Sequence, residues 1–357
     1  MVVDDSRARD ELRALGFRDE DARAVRDDER DLAVGRVARL DRGWSTVMTT
    51  RAGDPLRVRN VGVDVAVGDW VVVTSDGERV ARTLPRRSEF VRRASSGGVR
   101  AERHALAANI DVVLLVHAAD VGANPRRAER ELVLAFDSGA SPVLVATKAD
   151  LVPPADGASG ALTRDPAGAV AALAAAGLAC GVPCHVVSGR TGEGVAALRG
   201  LAEGGRTLAV LGASGAGKST LVNALVGADL RETAGVRGAD GRGRHTTVAA
   251  ELVALPGGGW VVDTPGLRAV SLWTSRRGLE RAFADVFAAS ERCRFRDCKH
   301  EDEPDCAVAR AVADGTLAAD RLAHLRTLVA EEAAVEAERE ARRRRADRKG
   351  VRRAARR

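Results

Sequence analysis

The rhythm of polar and apolar positions changes three times along the chain. Residues 1–29 are dominated by charged and polar side chains, with the pattern of one short helix. From Asp31 to Arg93 the rhythm is short. GRVARLD, WSTVMTT, PLRVRNV, DWVVVTSD and ERVARTLP are β-type runs separated by Gly, Asp or Pro. Five such runs in about 60 residues predict a small closed barrel of OB or SH3-like size. The Arg-rich exit, LPRRSEFVRRAS, reads as a connection to the next domain.

Between Asn109 and Leu272 strands and helices alternate. IDVVLLVHAAD and PVLVATKAD have the continuous apolar character of buried parallel strands, with a helical pattern, RRAERELVLAFDSG, between them. CHVVSG, TLAVLGASG, AELVALPG and WVVDTPG read as further strands, and GVAALRGLA and LVNALVG as helices. The alternation predicts an α/β domain with a parallel sheet covered on both faces. The Ala- and Gly-rich stretch 153–177 reads as a loop and one helix. After Leu279 the chain is helical again, interrupted by a Cys/His cluster. No repeat of solenoid period is present.

Composition adds three constraints. Across 357 residues, 45% are apolar and 30% charged, an ordinary globular balance. No apolar run reaches membrane-spanning length, and MVVDDSRARDELRAL is too charged for a signal peptide, so a cytoplasmic protein with no membrane partner is expected. The net charge of +6 is uneven: residues 339–357 hold eleven basic side chains against Glu340 and Asp347, a net of +9 that leaves the rest at −3. Such a tail reads either as a solubilising end or as a non-specific RNA attachment. Of the 56 basic residues only Lys148, Lys218, Lys299 and Lys349 are lysine, so each surviving lysine is a candidate for a compact ammonium.

One of the four falls in Gly212-Ala213-Ser214-Gly215-Ala216-Gly217-Lys218-Ser219, which fits G-x-x-x-x-G-K-[ST] between a predicted strand and the helix that Thr220 enters. In that context glycine lets backbone N–H groups face phosphate oxygens. Lys218 would neutralise the β- and γ-phosphates and Ser219 would ligate Mg²⁺. A Gly-rich turn with an incidental lysine is the alternative, and lysine scarcity argues against it. Asp263-Thr-Pro-Gly266 follows a strand downstream. There Asp263 would hold Mg²⁺ through water and the Gly266 amide would sense the γ-phosphate.

Base choice needs separate residues. Thr147-Lys148-Ala149-Asp150 ends a predicted strand and looks like the [NT]KxD guanine motif of Ras-like GTPases. An ionised Asp150 can accept from guanine N1–H and N2–H₂, a donor pair that adenine lacks on that edge. Lys148 would lie over the base and Thr147 would brace the phosphate loop. Ser188 and Gly189 resemble the companion loop, whose backbone amide would meet guanine O6. These base motifs precede the phosphate loop, so the domain is a circularly permuted P-loop GTPase. The permutation joins the second switch directly to the C-terminal segment.

Cys293-x₄-Cys298-x-His300-x₅-Cys306 sets four soft ligands within fourteen residues. Cys₃His is a structural zinc set, one ion per chain, with no open catalytic position. Disulfides are the alternative, which a cysteine-poor cytosolic chain disfavours.

Barrel, permuted GTPase and C-x₄-C-x-H-x₅-C together resemble the small-ribosomal-subunit-dependent permuted GTPases (RsgA/YjeQ type). The resemblance covers about residues 31–310 and includes GDWV (68–71), LPRRS (84–88), GRHTT (243–247) and the motifs above. It implies an OB barrel, GTP hydrolysis stimulated by the small ribosomal subunit, a late role in maturing that subunit, and a monomer. Thr147 stands where the family more often has Asn. The implied division is an extension (1–30), an OB-type barrel (31–93), the GTPase domain (94–278), a zinc-binding helical domain (279–338) and an Arg-rich tail (339–357). Arg36, Arg39, Arg42, Arg57 and Arg59 on the barrel, with Trp44 for stacking, would contact rRNA, whereas Trp70 is expected in the core. A nucleotide switch acting on a protein partner is the second reading, and a non-enzymatic RNA-binding relic the third. Intact Lys218, Ser219 and Asp263 oppose the third.

Many GTPases orient the attacking water with a glutamine just after D-x-x-G. Here that position is Leu267, and the chain contains no glutamine. Within GRHTT, Thr246 aligns with the switch threonine that ligates Mg²⁺, which puts His245 beside the γ-phosphate as the candidate for orienting water. Contact with RNA or solvent is the alternative for His245.

Overall fold

A computed structural model describes residues 6–41, 43–50, 55–93, 103–121, 124–151, 166–227, 250–263 and 276–354. Helices α1 (Ser6–Ala14) and α2 (Asp19–Arg23) precede a five-stranded unit: β1 (Ala33–Asp41), β2 (Trp44–Thr49), β3 (Leu56–Arg59), β4 (Trp70–Val73) and β5 (Val80–Thr83). β1 pairs antiparallel with both β2 and β4, β2 with β3, and β4 with β5. A bridge between Arg59 and Arg79, with Arg59 N–H donating to Glu78 O at 2.8 Å, joins β3 to β5. The circuit β1-β2-β3-β5-β4-β1 is therefore closed, as an OB-type barrel requires. Its core is almost all valine, including Val37, Val47, Val58 and Val71. β-Branched side chains fill a tightly curved pleat without polar groups to satisfy.

The exit from the barrel is a strand and not a bare connection. β6 (Glu89–Arg93) pairs antiparallel with β7 (Arg103–Ala108). The arginines hid its pattern, but Phe90 and Ala107 are fully buried and give the hairpin its inner face.

The second sheet runs β10 (Cys184–Val186), β9 (Ser141–Thr147), β8 (Val112–Ala118), β11 (Thr207–Gly212), β13 (Trp260–Asp263), β12 (Glu251–Ala254). The first five strands are parallel, as the apolar runs predict, but β12 is antiparallel to β13. Only the turn Leu255–Gly259 links those two, far too short for a crossover. Gly257, Gly258 and Gly259 all take positive φ to make it. Helices α5 (Val195–Gly200) and α6 (Lys218–Val226) cover one face through Leu198, Leu221 and Leu225. Helices α3 (Pro125–Ser138) and α4 (Pro166–Leu178) cover the other through Leu132, Phe136 and Leu173.

The barrel continues this sheet. Arg39 on β1 pairs with Glu251 on β12, and the joint is sealed by the N-terminal segment. Leu12 and Phe17 pack against Trp70, Val34 and Leu84, with the Phe17 and Trp70 rings edge-to-face at 4.7 Å. Arg36 was expected among the RNA-facing arginines, but it is 0% exposed. Its guanidinium donates to Thr207 Oγ1 at 2.6 Å, to Asn109 O at 3.3 Å and to Leu15 O, and lies 5.6 Å from the Trp70 ring centre. The reason lies in β1 itself: residues 33–38 are buried in succession, one side in the barrel and the other under the N-terminal segment.

GDWV and LPRRS meet at the same joint. Arg86 makes a two-pronged bond to buried Asp69 at 2.8 and 2.7 Å. Gly68, at φ 89°, passes so close to Ala108 that a Cβ would lie 2.1 Å from its carbonyl oxygen. Ser88 Oγ donates to Ile110 O at 2.6 Å and lies 2.7 Å from Ile110 N.

Helices α7 (Arg276–Ala282), α8 (Ala284–Ser290), α9 (Ala307–Ala313) and α10 (Ala319–Ala354) form the C-terminal part. α10 is continuous across residue 338, so through Ala354 the Arg-rich tail is the end of a helix and not a separate segment. Arg321 on α10 ties this part to the GTPase sheet's cover, donating to buried Glu129 on α3 at 2.8 Å and to Asp285 at 2.7 and 2.9 Å. No described helix is long and apolar enough to cross a membrane.

The burial of Arg36 has a direct consequence for stability. Arg36→Ala leaves a cavity and three unmatched polar groups, and should lower stability by about 2–4 kcal/mol. Arg39→Ala, on the same strand but half-exposed to solvent, should change it by about 0.5 kcal/mol or less. Urea denaturation of the two variants beside the parent chain makes the comparison.

Candidate functional site

The phosphate-loop motif spans the end of β11 and the start of α6. Gly212, Gly215 and Gly217 have φ of 151°, 78° and 87°, a run that side-chain-bearing residues do not tolerate. Space reinforces this at Gly212, where a Cβ would lie 2.3 Å from Val116 O. Ser214, Gly215, Ser219 and Thr220 are exposed at the rim, while Ala216 is buried and Ala213 half-buried. Lys218 curls over the loop, donating to Gly212 O at 2.8 Å and to Ala213 O. The result is a concave backbone loop capped by an ammonium at a helix N-terminus, which suits a polyphosphate.

The Thr147–Asp150 segment follows β9 on the same edge of the sheet and is held from three sides. The buried Thr147 hydroxyl lies 2.6 Å from Ala216 O and 3.2 Å from His117 O, tying it to the phosphate loop. Lys148, with left-handed backbone at φ 62°, places its ammonium 2.9 and 3.1 Å from the two oxygens of Asp120, just past β8. Asp150 accepts from Ser188 Oγ at 2.7 Å, after β10. That hydrogen bond, with a weaker contribution from the Arg190 charge, holds the Asp150 carboxyl below its ordinary range, so it is ionised at neutral pH. Gly189 packs on the start of α6, where a Cβ would meet Leu221 N at 3.1 Å. Four strand-end loops thus converge, and two carboxylates (Asp120 and Asp150), two ammonium groups (Lys148 and Lys218) and a ring of backbone amides line the meeting point.

Asp120 and Arg190 were not expected from the sequence. No spacing rule points to them, since each meets its partner only after the strands are aligned. Asp263 ends β13 beside β11, which puts its backbone at the same edge. His245, Thr246 and Gly266 lie outside the described residues, as does Arg42. On the barrel, Arg57 and Arg59 stack their guanidinium groups 5.2 and 5.0 Å from the Trp44 ring centre.

Cys293, Cys298, His300 and Cys306 bring their ligand atoms within 4.8 Å of one another. Cys293 Sγ lies 3.6 Å from His300 Nδ1 and 3.9 Å from Cys306 Sγ, and Cys306 Sγ lies 3.5 Å from the same nitrogen. Donors on a tetrahedron of about 2.3 Å metal–sulfur bonds stand about 3.8 Å apart, so the set fits a four-coordinate metal ion. It does not fit a disulfide, whose sulfurs sit about 2.05 Å apart, and all five cysteines are free. Positive φ at His300 (62°) and Asp305 (59°) bends the knuckle, and Cys306 caps α9 by accepting from Ala309 N at 3.3 Å. Burial pushes the Cys180 and Cys184 thiols up, and both pack against the core beneath α3 and α4.

Comparison with known proteins agrees with this geometry. The profile of the RsgA GTPase family matches residues 83–273. The chain is 44% identical over 328 residues to the small ribosomal subunit biogenesis GTPase RsgA of Streptomyces avermitilis, covering 88% of this chain and 84% of that protein. It is 37% identical to the protein of the same description from Syntrophotalea carbinolica, over 82% of this chain and 81% of that one. Among solved structures, YjeQ from Thermotoga maritima is similar with a TM-score of 0.61 and 25% identity, over 84% of this chain and 98% of that one. YloQ, described as a circularly permuted GTPase, shares the fold with the same TM-score at 22% identity, over 87% of this chain and 98% of that one. With more than half its length matched by the family profile and a relative this close over most of the chain, the protein belongs to the RsgA GTPase family and is a GTP-hydrolysing enzyme.

Proposed function

We propose that the chain binds GTP at the converging strand-end loops and hydrolyses it in the cytosol when it docks on the small ribosomal subunit, during maturation of that subunit. The observation that carries the reading is the Asp150 carboxylate, held ionised by Ser188 and fixed relative to the phosphate loop through Thr147. An acceptor-only group locked beside a phosphate cradle selects a base edge that offers two donors, which is guanine and not adenine. The relatives' description as small ribosomal subunit biogenesis GTPases supplies the partner. The Trp44 face flanked by Arg57 and Arg59 is of a kind that stacks on unpaired rRNA bases.

Within the site the chain's own residues have separable tasks. Backbone amides of residues 213–218 and the Lys218 ammonium bind the β- and γ-phosphates. Ser219, Thr246 and, through water, Asp263 would hold Mg²⁺, which neutralises charge that develops on the phosphate oxygens. The Gly266 amide senses the γ-phosphate, and the amide at Gly189 meets guanine O6. His245 orients the attacking water in place of the absent glutamine. The Cys₃His cluster holds one structural zinc ion, which folds the knuckle between α8 and α9 and takes no part in hydrolysis. A switch acting on a protein partner would share the nucleotide chemistry but would gain nothing from ribosomal subunits.

Base reading is tested by Asp150→Asn, which should weaken GTP binding far more than binding of xanthosine triphosphate, because xanthine offers an acceptor where guanine offers N2–H₂. Equal losses for both nucleotides take Asp150 out of the role. The metal is tested by elemental analysis, expected to find about one zinc per chain. Cys298→Ser should lower that content and expose the C-terminal helices to protease, since structural zinc sites contribute on the order of 10 kcal/mol to local folding. A metal-free preparation that still binds subunits would leave the knuckle without a structural ion. Catalysis and partner are tested together. Purified small subunits should raise GTP turnover, and His245→Ala should cut the stimulated rate by about 10²–10⁴-fold with GTP affinity and subunit binding near normal. Subunits without effect would favour the protein-partner switch. Lost binding in the variant would make His245 a contact residue.

A further inference from the structure

The link from Lys148 to Asp120 lies outside every motif that singled out the base loop. Asp120 sits in a single 3-10 turn, Ala119–Val121, immediately after β8, whereas Lys148 follows β9. The lysine is fixed at both ends. Its backbone is set by the left-handed φ of 62° and by the buried Thr147 before it, and its ammonium is held by both Asp120 oxygens. Its four-carbon stem therefore bridges the ends of two neighbouring strands, two residues from the carboxylate of Asp150.

Stability gives no reason for the pair. Lys148 is 30% and Asp120 24% exposed, and ion pairs with such access to water contribute little to folding. Position is what the pair supplies. A free lysine samples many rotamers, and that freedom would be lost each time a planar ring settled against the stem. Held at its far end by Asp120, the stem is ordered before any ligand arrives.

We propose that Asp120 is a positioning residue for the nucleotide base: it holds the Lys148 stem as an apolar shelf for the purine face, while Asp150 reads the purine edge. The inference rests on the assignment of residues 147–150 as the base loop. A shelf contacts any purine face and is blind to edge substituents. Asp120 should therefore set affinity without setting base preference, and should act only through Lys148.

Both features are measurable with the full-length protein, by titration of fluorescent GTP and inosine triphosphate analogues and by single-turnover hydrolysis. Asp120→Ala should raise the dissociation constants of both nucleotides by the same factor, about 5–20-fold, with single-turnover rate and thermal midpoint near those of the parent. Asp120→Glu should recover part of the loss. In a Lys148→Ala background the Asp120→Ala change should have no further effect. Unchanged affinity on Asp120→Ala, an equal loss in the Lys148→Ala background, or a joint fall in rate and thermal midpoint would each overturn the assignment. Asp150→Asn run in parallel separates the two ideas. Failure to favour xanthosine triphosphate removes the base loop itself, whereas a normal switch with a silent Asp120→Ala removes only the shelf.

Discussion

A guanidinium with no exposed surface stands where the barrel, the N-terminal segment and the nucleotide-binding sheet meet. Burial pushes the Arg36 pKa down to about 10, with Asp111 opposing that shift, so the group still carries its charge at neutral pH. A buried charge is tolerated only where acceptors surround it. Here they come from three stretches of chain: Leu15 after α1, Asn109 before β8, and Thr207 opening β11. Asp111 completes the arrangement by accepting from Thr207 N at 2.7 Å and from Arg18. Any rotation of the barrel against the sheet would strand that charge. The barrel and the GTPase sheet are therefore fastened at a buried charge, and β1 pairs directly with β12 through Arg39 and Glu251.

The nucleotide edge of the sheet is bound together by Thr147, Lys148 and Asp150, each reaching a different neighbouring loop. On the permuted chain the segment after Asp263 leads into the C-terminal helices rather than back into the sheet. Those helices share a hydrophobic core with α3, where Leu279, Phe283 and Leu325 join Leu132 and Phe136 in one cluster, and polar contacts fasten it. Glu129 takes Arg321 and His324 in a buried cluster, and Gly278 lies so close to Asp137 that a Cβ would come within 2.3 Å of its carboxylate. The nucleotide-binding domain is thereby joined covalently, with no return to the sheet, to the helices that carry the Cys₃His knuckle.

The architecture was legible because its signals are local. Strand runs bounded by glycine and proline, the 3.6-residue period of α3, and the spacing of the cysteines all concern residues near one another in sequence. The motif positions of the phosphate and base loops were legible for the same reason. What escaped were contacts between distant segments, and the burial of the barrel strand β1 on both faces. Arg36 reads as surface on an alternating strand, because alternation presumes water on one side of the sheet, and the N-terminal segment removes that water. Arginine likewise masked β6, where Phe90 is the large side chain buried on the inner face among the described ones. Asp120 gives no sequence signal at all, since it matters only once β8 and β9 lie side by side.

A chain that uses arginine almost everywhere retains an ammonium at Lys218 and Lys148, and both make contacts for which a planar fork is poorly shaped. Lys218 must turn back within one helical turn to reach Gly212 O and Ala213 O. A compact donor can do this and then transfer to phosphate oxygens at nearly the same place, whereas a guanidinium would fill the cradle itself. Lys148 spans the gap from a backbone fixed at φ 62° to both Asp120 oxygens with a slim stem and a compact ammonium. The other two lysines make no such case: Lys299 is exposed and contributes its backbone N–H to Glu303 at 2.7 Å, and Lys349 lies in the Arg-rich end of α10. The retained ammonium groups that the fold puts to use are therefore those where a point charge fits inside a closed loop, at Lys218 and at Lys148.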